Sequence, residues 1–152
     1  MTPNRVGDVL AAVRGAFVAR GWHGPSVLQS IQGLRAKKAK KRRAKASHSI
    51  HEVVDHVEYW EHVAIHYVRR GRPPKRLRKD WTPPSLSFAK SVRRLRATHR
   101  VLVAAIASLK DADLERPVLT VSKRRLSLGQ VLHGVAAHDS YHAGQIRLLR
   151  TL

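Results

Sequence analysis

The sequence contains no cysteine, and this absence removes three kinds of chemistry from consideration. A chain without cysteine forms no disulfide, offers no thiolate to a metal ion and has no thiol nucleophile. Long apolar runs are also absent, because no stretch approaches the roughly 18 to 20 apolar residues of a membrane span. Residues 1–20 space their apolar side chains at helical intervals, unlike the basic-then-apolar order of a signal peptide. We therefore expect no membrane insertion and a cytoplasmic location.

Acidic residues are also scarce: 10 Asp and Glu stand against 30 Lys and Arg, which gives a net charge of +20. Two basic runs stand out, at 37–45 and 69–79, and further cations are spread over the other segments. Such a surface attracts polyanions. The few aromatic residues do not alternate with the basic runs as base-stacking platforms would, and no nucleic-acid recognition motif is present. Any binding of DNA or RNA should therefore be non-specific and limited to low salt.

Apolar residues recur at helical spacing in four long segments, and the hydrophobic fraction of 43% is typical of a folded domain. Ser49 and Glu52 form a capping box at the start of the second segment, and Gly71 stops it. The third segment alternates its apolar side chains in steps of four and three, as a bundle seam does. Only 117–121 resembles a strand. We predict an all-α, antiparallel four-helix bundle that forms a single domain over residues 1–152.

The ten histidines can be sorted by helix face, because each helical residue advances about 100°. On the last helix, His138 and His142 both lie within the apolar arc, one turn apart, where two imidazoles can bind the same ion. A buried imidazole without a partner costs a few kcal/mol, and one cation would satisfy both. Hydrogen-bonded core histidines are the alternative, but two on one apolar stripe favour a divalent metal ion.

The second long helix supplies a further candidate, His56, which lies inside its apolar arc. The other histidines of this segment fall on the opposite side and are expected to face solvent: His48, His51, His62 and His66. His51 and His56 are five residues apart and point about 140° from each other, which excludes a zincin-type pair. His62 and His66 have metal-binding spacing, but they point away from the core.

Three more polar residues are candidates for a supporting role. Gln145 follows His142 by one turn and could orient a ligand, with a plain buried amide as the alternative. Glu52 precedes His56 by one turn, and His99 lies on the seam of the third helix as a partner of a ligand or a polar core residue. Three imidazoles that leave coordination positions open are typical of a catalytic site. No Asp or Glu other than Glu52 is obviously aimed at the site as a general base, which weakens hydrolysis relative to thiol activation, where the metal alone can generate the thiolate.

These motifs resemble one family. Residues 138–146 (HDSYHAGQI) are similar to the C-terminal signature of the DinB/YfiT-like metal-binding bundle superfamily, and residues 49–56 (SIHEVVDH) are similar to its second-helix motif. The turn at 22–26 (WHGPS) and the connection at 81–84 (WTPP) match one branch of that family. The resemblance covers nearly the whole chain.

The resemblance implies a four-helix bundle, frequent homodimers and a three-histidine site that holds zinc or nickel. Carried over residue by residue, the ligands are His56, His138 and His142, the same three that the helix faces select. The implied reaction stays open. Relatives include transferases that act with low-molecular-weight thiols, metal-dependent hydrolases and proteins of unknown activity.

The basic runs depart from the family pattern, which has acidic or neutral residues there. One explanation is a natural member that binds a polyanion. The other is surface supercharging of a natural bundle, which exchanges solvent-facing residues and leaves core and site unchanged. Acids retained mainly beside His56 favour the second slightly. The alternative to an enzyme is a metal-bound scaffold without catalytic role, whose basic surface binds DNA or RNA non-specifically.

Overall fold

A computed structural model describes residues 4–18, 21–22, 24–42 and 48–152. Its helices, in chain order, are α1 (Arg5–Phe17), α2 (Val27–Ile31), α3 (Ala36–Lys40), α4 (Ile50–Arg70), α5 (Phe88–Ala107) and α6 (Leu128–Thr151). A 3₁₀ turn at Asp111–Glu115 follows α5. α1, α4, α5 and α6 are long and pack together, so the predicted all-α bundle is confirmed. His23 and the end of the first basic run, at 43–45, lie outside the described residues.

The helix ends follow from local sequence. At the start of α4, Ser49 accepts a hydrogen bond from the backbone of Glu52, whose carboxylate accepts one from the backbone of Ser49. Ser127 and Gln130 form the same capping box at the start of α6. α4 ends at Gly71, whose φ of 65° lies in the left-handed region that costs other residues about 1–2 kcal/mol. The predicted limits of α4 are confirmed.

A short antiparallel hairpin interrupts the helical pattern between α5 and α6. β1 (Pro117–Leu119) pairs with β2 (Arg125–Ser127), and the sequence predicted only the first of them. The hairpin is fixed to the end of α4, because Leu119 N donates to Gly71 O at 3.0 Å. Val121 N also donates to the Tyr67 hydroxyl at 2.9 Å. The hairpin is therefore held beside α4 and leads directly into α6.

α4 is the central helix, and its polar side is buried against α5. Four side-chain pairs join the two helices, and we call them the α4–α5 seam: His51 with Ser91, Asp55 with Arg94, Glu58 with Thr98, and Glu61 with His99. The prediction that His51 faces solvent is therefore wrong, since His51 is 1% exposed. α5 covers the side that the polar pattern assigned to water.

The apolar core surrounds the ends of this central helix. One cluster includes Leu102, Ile106 and Leu132, with Trp60 packed against it. A second includes Leu95 and Ile146. In the part of the chain that the structure describes, no helix is long and apolar enough to cross a membrane.

Candidate metal centre

Three imidazoles converge between α4 and α6. The Nε2 atom of His138 lies 3.1 Å from Nε2 of His56 and 3.1 Å from Nε2 of His142. Two nitrogen ligands of a tetrahedral zinc ion, with bonds of about 2.0–2.1 Å, lie about 3.3 Å apart. The spacing therefore suits one shared ion. Among the described residues, these three histidines form the one such group of metal-ligating side chains.

Burial keeps two of these imidazoles in the form that binds a metal. Desolvation, reinforced by neighbouring imidazoles, lowers the pKa of His56 to about 4 and that of His142 to about 4. A metal binds the neutral imidazole, so at neutral pH these nitrogens are available without release of a proton. All three donors are nitrogen atoms, which suits zinc and nickel better than calcium or magnesium. The donor set fits a divalent ion of that kind.

Each imidazole also has a polar partner at its other nitrogen, Nδ1. The separations are 3.1 Å from His56 to Asp80, 3.6 Å from His138 to Asp139, and 2.7 Å from His142 to Gln145. An acceptor at Nδ1 holds the proton there, leaves the lone pair on Nε2 and orients the ring. Gln145 lies beside His142, and its role in orienting a ligand stays a prediction. Its Oε1 accepts from Nδ1 of His142.

Sequence reasoning missed the two aspartates. Asp139 directly follows His138, and that adjacency was the available signal. Asp80 lies in the connection between α4 and α5, which reads as a basic, proline-rich linker. Two tryptophans fix this connection to the site. Trp81 stacks on His56 with ring centroids 3.9 Å apart, and Trp60 Nε1 donates to Asp80 at 2.8 Å.

A buried chain of polar groups continues from His138 into the core. Asp139 and Glu61 are both 0% exposed and interact electrostatically with each other, and Glu61 Oε1 lies 2.6 Å from Nδ1 of His99. Burial, followed by the charge of Asp139, raises the pKa of Glu61 well above its usual range. Burial likewise raises the pKa of Asp139, so the two neighbouring carboxyl groups disfavour double ionisation and favour a form in which the pair keeps one proton. Asp139 also faces His138, at 3.6 Å from its Nδ1.

The remaining candidates lie elsewhere. His99 is a polar core residue, stacked on Phe17 with centroids 3.6 Å apart, and it is linked to the site only through Glu61. Glu52 lies at the start of α4, where it pairs with Arg42 and the Ser49 backbone. His62 is exposed, and its ring centroid lies 5.1 Å from that of the half-buried His66. The structure keeps this surface pair separate from the three converging imidazoles.

Comparison with known proteins gives one match. The family model described as the DinB superfamily matches residues 22–146. This range includes all three converging histidines together with Asp80 and Gln145. No curated protein and no solved structure matches the chain significantly.

Proposed function

The chain belongs to the DinB superfamily, and we propose that it is a metal-dependent enzyme that transfers a group to a low-molecular-weight thiol. His56, His138 and His142 would hold one divalent ion, zinc or nickel. The observation that carries the proposal is the convergence of three Nε2 atoms whose Nδ1 atoms each face a polar partner.

Three protein ligands leave at least one coordination position for another molecule. When bound, a divalent ion in such a position acts as a Lewis acid and lowers the pKa of a thiol or water that coordinates it. The residues around it decide between the two. Asp80 and Asp139 face the ligand imidazoles, at 3.1 Å from Nδ1 of His56 and 3.6 Å from Nδ1 of His138. A thiol that coordinates such an ion loses its proton outright, whereas coordinated water keeps a pKa of about 7 and benefits from a general base, so thiol transfer is favoured over hydrolysis.

Metal analysis tests the ligand set. The purified protein should carry or take up about one divalent ion per chain. His142→Ala should abolish this uptake, because only two nitrogen ligands remain. His62→Ala is the matched control and should leave it unchanged, since His62 is exposed and outside the group. Equal loss of metal in both variants would show that the wrong histidines were chosen.

A thiol-transfer assay tests the reaction. Glutathione and cysteine would be offered with 1-chloro-2,4-dinitrobenzene, and product formation followed by absorbance. Zinc- or nickel-loaded protein should exceed metal-free protein, and His142→Ala should match the metal-free rate. A metal-dependent rate with a nitrophenyl ester that ignores added thiol would instead assign the chain to the hydrolases.

A second function has separate support from the surface charge. The exposed cations of the first basic run include Lys37, Lys38, Lys40 and Lys41, and those of the second include Arg72, Lys75, Arg76 and Lys79. In this alternative, the metal-bound bundle is a scaffold that binds DNA or RNA through phosphate contacts alone. A homodimer, which the family resemblance implies, stays a prediction.

A further inference from the structure

An apolar cavity of about 370 Å³ opens beside the three histidines. α4, the β1–β2 hairpin and α6 form its walls. The larger side chains that line it include Trp60, Tyr67, Val121, Leu126, Val135 and His138. The described residues that line it include no Lys, Arg, Asp or Glu, although the chain has 30 Lys and Arg. An uncharged cavity on so basic a protein calls for a specific occupant.

A second cavity shows that the absence of charged side chains is not shared by every cavity of this protein. It has a volume of about 560 Å³ and is lined by charged side chains, among them Asp55, Glu58, Arg78 and Arg94. Three of these charges are already paired, because Arg94 forms ion pairs with Asp55 at 3.3 Å and Glu58 at 3.2 Å. The apolar cavity is thus the one of the two that suits an uncharged ligand.

The polar groups in the walls of the apolar cavity are also paired already. The Tyr67 hydroxyl accepts from Val121 N at 2.9 Å, and the hydroxyls of Thr120 and Ser122 lie 3.0 Å apart. The Gln130 carbonyl accepts from Ser127 N at 2.9 Å as part of the α6 capping box. Few wall groups are left for a polar ligand, so binding would come from apolar contact.

The cavity is continuous with the candidate metal centre. His138 lines it, and the His138 side chain is 28% exposed, against 6% for His56. Trp60 lines it as well, with its ring 6.3 Å from that of His138, and its Nε1 holds Asp80 in place behind His56. A molecule in the cavity therefore lies against the most exposed of the three imidazoles.

We propose that this cavity binds the uncharged alkyl or aryl group of the electrophile that the thiol attacks, an inference that rests on the proposed function. The thiolate sulfur forms a bond to the electrophilic carbon. The bond from that carbon to its leaving group breaks, and the electron pair departs with the leaving group. The proton of the thiol passes to solvent. Across a series of electrophiles, each additional methylene group that the cavity buries should raise kcat/KM about fourfold, until the space is filled.

A variant whose new side chain fills the cavity tests ligand binding there, with no need to measure catalysis. Gly134 lines it, and a Cβ added there meets nothing within 4 Å, so Gly134→Leu places a side chain in open space. Gly144→Leu is the matched control, since Gly144 is also exposed, on α6 and open around its Cβ, but does not line the cavity. The probe is the neutral dye N-phenyl-1-naphthylamine, followed by fluorescence. Gly134→Leu should weaken its binding at least tenfold, whereas Gly144→Leu should leave it unchanged.

A second measurement tests the position of the dye. Cobalt-loaded protein should quench the bound dye relative to zinc-loaded protein, because the cavity adjoins His138. Equal dye affinity in the two glycine variants, or equal fluorescence with the two metals, would overturn the proposal. A dye affinity that falls as protein concentration rises would also overturn the proposal, since it would show that a second copy of the chain fills the cavity. Loss of thiol transfer with dye binding intact would count against the proposed reaction instead.

Discussion

The three converging imidazoles differ in the residue that faces Nδ1, the nitrogen opposite the candidate metal site. Gln145 lies on the same helix as His142, so the two come together as soon as α6 forms. Asp139 is 0% exposed and anchored by Glu61. Asp80 is 48% exposed at its side chain and comes from the connection between α4 and α5. His56 therefore depends on a partner that only the complete fold delivers, and its orientation should be the most sensitive to mutation.

Replacement of Asp80 by Ala tests this dependence. The change removes the carboxylate that accepts from Trp60 Nε1 and lies 3.1 Å from His56 Nδ1, so the His56 ring is less constrained in orientation and tautomer. Loss of such an outer partner costs about 10- to 100-fold in metal affinity. Competition with a chelator would measure the dissociation constant. Glu115→Ala, which removes an exposed partner of Arg5, is the control. Equal affinities in the two variants would mean that Asp80 does not orient His56.

Among the elements, the α4–α5 seam gives the bundle a buried polar interface with a defined pH response. Burial, followed by the charge of Arg14, lowers the pKa of His99 to about 4 from 6.5. The unfolded chain therefore binds more protons than the folded chain between about pH 4 and pH 6.5. The stabilisation is fully present above pH 6.5 and is lost as pH falls towards 4. Glu61 acts in the opposite sense: its raised pKa lowers stability as pH rises from about 4.5.

His99→Gln isolates the histidine contribution, because glutamine can still donate to Glu61 but does not titrate. The difference between a pKa of 6.5 and one of about 4 corresponds to about 3 kcal/mol. Between pH 6.5 and pH 4, the free energy of unfolding of the metal-free variant should fall by about 3 kcal/mol less than that of the wild type. Urea unfolding at a series of pH values measures it. His133→Gln, at an exposed position, is the control. An identical pH response in wild type and His99→Gln would contradict the seam assignment.

The seam also shows where prediction from sequence stops. The limits of α4 follow from Ser49, Glu52 and Gly71, because caps act within one turn of the chain. The proximity of His138 and His142 follows too, since the two share an apolar arc one turn apart on α6. The burial of His51 cannot be predicted in this way. Whether a polar helix face is exposed to water depends on α5, which begins 37 residues later. Asp80 and the partner strand β2 were missed for the same reason: their contacts are made by tertiary packing.

Across the whole molecule, folding separates the charges by sign. Five of the ten acids are buried: Glu52, Asp55, Glu58, Glu61 and Asp139. The cations of the two basic runs are largely exposed. The surface potential is therefore more positive than a uniform spread of the net charge would produce, while the cavity beside His138 is uncharged. Polyanion binding to the basic runs and metal binding to the three imidazoles would use different parts of the molecule and should respond independently to changes in conditions.

Salt concentration separates the two properties. Binding to DNA, RNA or heparin should occur at low salt, ignore sequence and fall as a steep power of salt concentration, because it releases condensed counterions. Metal content should stay constant over the same range, since buried ligation is barely screened. Both can be followed in one salt titration, by fluorescence anisotropy of a labelled oligonucleotide and by metal analysis.

Charge reversal on α3 completes the test. Replacing Lys37, Lys38, Lys40 and Lys41 by Glu should weaken polyanion binding and lower the slope of log affinity against log salt by roughly one for each phosphate that is no longer neutralised. Arg42 is kept, because it pairs with the buried Glu52. Metal uptake should not change, since α3 supplies none of the three imidazoles. Sequence-selective binding that survives about 0.5 M salt would overturn this account, because counterion release alone cannot supply it. Nucleic acid would then be the specific partner of this protein, and its basic surface the functional site.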